Sequence, residues 1–179
     1  MGIPHRIKRH ARRFLREESG TATIEFVLLF PAIMWLFFTA VEVGVQMTRT
    51  VMLERALDLN VRALRLGTLE PATHDELKRR VCEDTLILND CPNAVIIELT
   101  PISRNNWSLP SGAATCVDRT EEIEPVIEFN LGAENEIMLV RACAVLDPFF
   151  GASKLVMKLP QDASGGVVIA AASTFVNEP

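Results

Sequence analysis

Four cysteines, one glutamate at the head of an apolar stretch and a scarcity of histidine are the features of this chain with chemical potential. Cys82, Cys91, Cys116 and Cys143 are even in number and all lie downstream of the apolar stretch, a pattern that points to disulfides in an oxidising compartment. Four cysteines allow three pairings. Joining sequence neighbours, Cys82 to Cys91 and Cys116 to Cys143, closes loops of roughly 10 and 28 residues, which the chain-entropy argument values at about 2.7 and 3.6 kcal/mol. Zinc held by all four thiolates is the rival arrangement, but the close-set cysteine pairs of structural zinc sites are missing. No C-x-x-C redox pair is present either.

Histidine chemistry is nearly excluded. Of three histidines, His5 and His10 fall in the basic N-terminal segment, which leaves His74, expected to be solvated at a helix start. Nucleophile-elbow, phosphate-loop and H-E-x-x-H motifs are absent. Glu121, Glu122 and Glu124 read as a solvated acidic run, and a two-carboxylate hydrolase would have to draw on residues 118–136, where nothing else supports one. The expectation is a non-enzyme with no cofactor, no metal and no catalytic residue.

Glu25 is different. Small, weakly polar residues precede it, and the uncharged run Phe26–Val41 follows at once. A carboxylate in hydrocarbon costs roughly 2.5–3.5 kcal/mol on insertion scales unless it is paired, so such a residue marks function. Residues 21–41 as a helix rise about 31 Å, the thickness of a bilayer's hydrocarbon core. Arg6, Lys8, Arg9, Arg12, Arg13 and Arg16 precede the run, whereas the first basic residue after it is Arg49. The bias of positive charge toward the cytoplasm therefore places the N-terminus inside and residues beyond about 45 outside. A cleaved secretory signal would need small residues before the cut, and Phe38 stands there in Phe38-Thr39-Ala40-Val41, so the segment is expected to remain. Glu42, after the run, reads as a carboxylate reaching into the headgroups. The body after the leader is acidic, which argues against nucleic acid as a partner.

The elements that position these residues follow from periodicity. Helix continues from the apolar run to Leu66, with Met47, Val51, Leu57, Val61 and Leu64 as a packing stripe and Arg49, Glu54, Asp58, Arg62 and Arg65 on other faces. Gly67 is a candidate stop. A second helix begins after the cap Thr73, with Glu76 completing a capping box, and runs to about Leu86. Cys91-Pro92 marks a turn. Strands are expected around Val95–Leu99, Ile127–Leu131, Ile137–Leu146 (buried on both faces despite Arg141) and Val167–Val176, whose Ala170, Ala171, Ala172 and Ser173 would let a helix lie close. Loops are expected at 101–125 and 147–166. The fold class is α+β: a long N-terminal helix, transmembrane then amphipathic, packed on a small, mainly antiparallel sheet of three or four strands, pilin-like in layout.

Gly20-Thr21-Ala22-Thr23-Ile24-Glu25-Phe26, with the basic leader before it and the spanning run behind it, resembles a type IV prepilin processing site. More narrowly, residues 14–66 resemble the TadE/TadF-like minor pseudopilins of the tight-adherence (Tad) pilus system, with Glu25 and Phe26 at the fifth and sixth positions and Pro31 inside the helix. The ending Asn177-Glu178-Pro179 is loosely similar to that family too. The resemblance implies cleavage between Gly20 and Thr21 by a prepilin peptidase, and pairing of the new amine at residue 21 with Glu25 of the same or a neighbouring subunit. It further implies residence in the inner membrane, other pilins, pseudopilins and the Tad assembly platform as partners, and a place in or beside the fibre. Pro31 removes one helical hydrogen bond and crowds the carbonyl of Val27, so a kink or local unwinding is expected. The expected organisation is a leader over 1–20, a membrane helix over 21–45 and a periplasmic domain over 46–179. A signal-anchored periplasmic assembly or binding factor that never enters a fibre is the alternative reading.

Overall fold

The computed structural model of the protein describes residues 21–104, 107, 109–110, 112–120, 125–150 and 160–178. The Gly20 half of the expected processing site, the basic leader and the acidic run 121–124 lie outside the described residues, as do the side chains of Thr21 and Ala22. The chain divides into two compact units, Met1–Ala40 and Val41–Pro179.

The first helix, α1, spans Thr21–Arg65. It stays helical through Pro31, so of the kink or local unwinding expected there the unwinding does not occur. Proline deletes a single ladder bond, and the bonds on either side are enough to hold the turn. The helix ends as the sequence predicts. Gly67 takes a left-handed φ of +64°, its N–H donates to Leu64 O at 3.1 Å, and Thr68 N donates to Ala63 O at 3.0 Å. These two bonds form the Schellman arrangement, which satisfies carbonyls that the helix end would otherwise orphan.

Helix α2, His74–Asp84, starts at Thr73, whose hydroxyl accepts the N–H of Glu76 at 3.3 Å. Only this half of the expected capping box forms. Thr73 N donates to Pro71 O instead, and the Glu76 carboxylate is taken by Arg79 and Arg80. Where a turn was expected at Cys91-Pro92, a one-turn helix, α3, covers Cys91–Ala94, with Pro92 in its first turn and Asp90 before it at φ +53°.

Strands β1 (Val95–Ile102), β2 (Ile137–Leu146) and β3 (Val167–Val176) form an antiparallel sheet in the order β1-β2-β3. Strand β1 runs past the expected loop start, through Pro101, which an edge strand tolerates because it need not donate on its open side. Ile127–Leu131 does not form a strand. It makes one parallel bridge, Phe129 to Leu99, with Leu99 N donating to Glu128 O and Asn130 N donating to Leu99 O, both at 2.9 Å. The chain then turns away at Gly132, whose N–H is held by Asn130 Oδ1 at 2.9 Å and whose φ is +69°.

One sheet face carries Val95, Ile97, Leu99, Met138, Val140, Ala142, Ala144, Ile169, Ala171 and Phe175, and joins α1 residues Leu53, Ala56, Leu57, Val61 and Leu64 and α2 residues Leu77 and Val81 in a single core. The molecule is thus an α+β fold, a long N-terminal helix packed on a three-stranded antiparallel sheet. Ala171 lies in this core, whereas Ala170 and Ala172 are exposed on the other face. The buried helix stripe also differs from the expected one. Met47 and Val51 are 66% and 59% exposed, while Glu42, Gln46, Arg49, Leu53 and Asn60 point inward. The polar members are accepted because most find partners, as Asn60 does at Ala56 O (2.9 Å) and Asp84 Oδ2 (2.8 Å).

Candidate functional site

The second sheet face shows how the disulfides work as fasteners. Cys82 is joined to Cys91 and Cys116 to Cys143, the pairing of sequence neighbours. The first bond ties α2 to α3. The second fixes the segment 112–118 over the outer face of β2, where two further ties meet it. Glu98 Oε1 accepts Thr115 N at 3.1 Å, and Arg141 Nη1 donates to Gly112 O at 3.1 Å. Glu98 and Arg141 are register partners across β1 and β2, and their ion pair spans 2.7 Å. This accounts for a strand that carries an arginine and is still covered on both faces.

The helix carries the residues that the sequence singles out. Glu25 and Phe26 both lie in α1 and are exposed, next to the exposed side chains of Ile24, Val27, Leu28 and Leu29. The rings of Phe26 and Phe30 meet at 5.1 Å, one turn apart. Pro31 is also on this helix. The segment is long and apolar enough to cross a membrane, and its apolar part is almost wholly unburied by the protein, unlike the core helix of a soluble fold. By length and composition this helix fits a single-pass membrane anchor.

Glu42 was expected among lipid headgroups and is fully buried in the protein instead. Its Oε1 accepts the N–H of Phe149 at 2.8 Å and its Oε2 accepts the N–H of Phe150 at 2.7 Å. Two successive backbone N–H groups form a concave donor pair that suits a carboxylate, and charge-assisted bonds of this length offset much of the desolvation of the buried acid. Two turns further on, Arg49 Nη1 donates to Asp147 O at 2.9 Å. The only sequence signal for this clamp is the spacing Glu42, Gln46, Arg49, Leu53, which traces one helix face in line with the core; polarity hides it.

His74, expected to be solvated, is instead largely covered. Its ring packs edge-on against Phe129 with centroids 5.7 Å apart, and Nδ1 lies 3.1 Å from Asp75 Oδ1. A cleft of about 350 Å³ lined by Arg49, Asp118, Arg119 and Asp147 carries both signs of charge, and Arg119 is already paired with Asp147 at 2.8 Å. Among the described residues, no three His, Cys, Asp or Glu side chains are grouped to hold a metal ion.

Among known proteins, the model of the family described as TadE-like protein matches residues 20–58. No curated protein and no solved structure matches the chain. The matched stretch begins at Gly20 and covers Glu25, Phe26, Pro31, Glu42 and Arg49. The match falls on α1, from its first residue to position 58.

Proposed function

We propose that the protein is a minor pseudopilin that serves assembly of a Tad-type adhesive pilus after prepilin-peptidase cleavage between Gly20 and Thr21. The observation that carries this reading is Glu25: a carboxylate at the fifth position after Gly20, standing exposed among apolar side chains of a TadE-like helix. Such an acid needs a counter-charge in hydrocarbon, and cleavage uncovers an amine four residues upstream. Pairing of that amine with Glu25, in the same subunit or its neighbour, sets the axial register of helix against helix, because a misregistered Glu25 is left unpaired in lipid. The basic residues of 1–20 hold the leader on the cytoplasmic side, and the disulfide-bonded body lies in the periplasm. The partners in this reading are the inner membrane, the peptidase, other pilins and pseudopilins, and the Tad assembly platform.

Mass spectrometry of the membrane-extracted chain from cells with an active prepilin peptidase tests the proposal, with Thr21 as the expected first residue. An intact start at Met1 would contradict it. Glu25→Ala separates the proposal from a signal-anchored factor outside the fibre. Pilus formation should be lost while membrane insertion is unchanged, and a variant that still builds pili normally would favour the alternative.

A further inference from the structure

The segment after β2 does not leave the domain freely. It is tied to α1 at two levels, Asp147 O to Arg49 and the N–H groups of Phe149 and Phe150 to Glu42. Residues 42 and 49 are two helical turns apart, about 10 Å along the axis. From Asp147 to Phe150 the chain therefore descends α1 toward the apolar run and ends beside Glu42, the first residue after Val41. At that end it presents two phenyl rings, packed edge-to-face at 4.9 Å and exposed by 61% and 36%.

From this geometry we infer that Phe149 and Phe150 form a second membrane contact, dipping into the bilayer interface beside the point where α1 emerges. The inference rests on the reading of residues 21–41 as a membrane span. The occupant is lipid because the pair is held next to the end of a segment that is itself lipid-facing, and exposed Phe, Trp and Leu side chains are what interfacial elements bury at the headgroup–acyl boundary. Burial of such a loop reaches about 5–10 Å into the headgroup and acyl boundary. The buried Glu42 carboxylate acts as a positioning group. By fixing two consecutive backbone N–H groups it holds both rings beside residue 42 of α1.

The test uses the full chain in phosphatidylcholine vesicles, with and without bromine on the acyl chains. Trp35→Phe and Trp107→Phe combined with Phe149→Trp leave residue 149 as the sole tryptophan, and a companion chain with Trp107→Phe alone keeps Trp35 inside the span. Brominated lipid should reduce the emission of the residue-149 probe roughly twofold or more, as expected for a ring at interfacial depth. Quenching of Trp35 with no quenching at residue 149 overturns the inference and leaves the span standing, including the case where a protein partner covers the loop. If Trp35 is unquenched as well, the membrane reading beneath it fails.

Discussion

Arg141 on the central strand lies 2.7 Å from Glu98, its register partner on β1, beneath the segment that Cys116 fastens to Cys143. Both side chains are largely buried. Removing one member of such a pair strands a charge, so Arg141→Met or Glu98→Leu alone is expected to destabilise by about 3–5 kcal/mol. The double substitution should recover most of that loss. Chemical denaturation of the detergent-solubilised chain measures all three, and additive single and double effects would refute the coupling.

Helix α1 offers a comparison between a buried and an exposed apolar position. Leu57 is buried in the core and Met47 is exposed. Leu57→Ala should destabilise by about 2–5 kcal/mol through lost burial and an unfilled cavity. Met47→Ala should change stability by about 0.5 kcal/mol or less. Equal losses at the two sites would mean that the helix presents a different face to the sheet.

At Gly67 the backbone is left-handed, and a Cβ would meet no atom within 4 Å. Any penalty for Gly67→Ala is therefore conformational and is expected at about 1–2 kcal/mol. Thermal unfolding of wild type and variant reads it, and an unchanged midpoint would show that the Schellman turn does not hold the end of α1.

Glu76 is pulled from 4.5 down to about 2, first by the hydrogen bonds from Arg79 and next by Arg80. A carboxyl whose folded value is depressed contributes stability that is full above the unfolded value and fades as pH falls toward the folded one. Stability should therefore decline between about pH 4.5 and 2, and Glu76→Gln should flatten that limb while leaving the neutral plateau nearly level. Denaturation midpoints across this range provide the measurement; an acid limb of unchanged slope in the variant would argue against the Arg79–Glu76–Arg80 cluster.

The two disulfides should differ in effect. Replacing Cys116 and Cys143 by alanine is expected to cost about 3.6 kcal/mol and replacing Cys82 and Cys91 about 2.7 kcal/mol, from the lengths of the loops they close. Loss of the Cys116–Cys143 bond should also loosen residues 112–118 over β2, seen as faster amide exchange at Thr115, whose N–H is held by Glu98.

Much of this architecture could be read from the chain itself, since the signals are local. An uncharged run long enough for a bilayer, a glycine after the last helical turn, and apolar stretches of strand length marked α1, β2 and β3 at their observed places. Cysteine spacing anticipated both disulfides. What periodicity could not decide was the orientation of α1. Hydrophobicity assigned Met47 and Val51 to the core and Glu42 to the lipid headgroups, whereas the fold exposes the first two and buries the third. Glu42 is stable inside because its partners are backbone N–H groups at Phe149 and Phe150, more than a hundred residues away, and a backbone donor has no signature in side-chain sequence. Arg141 follows the same logic, since its partner Glu98 is brought opposite only by strand register. Apolar patterning is written along the chain, but the satisfaction of buried polar groups is settled only when distant segments meet.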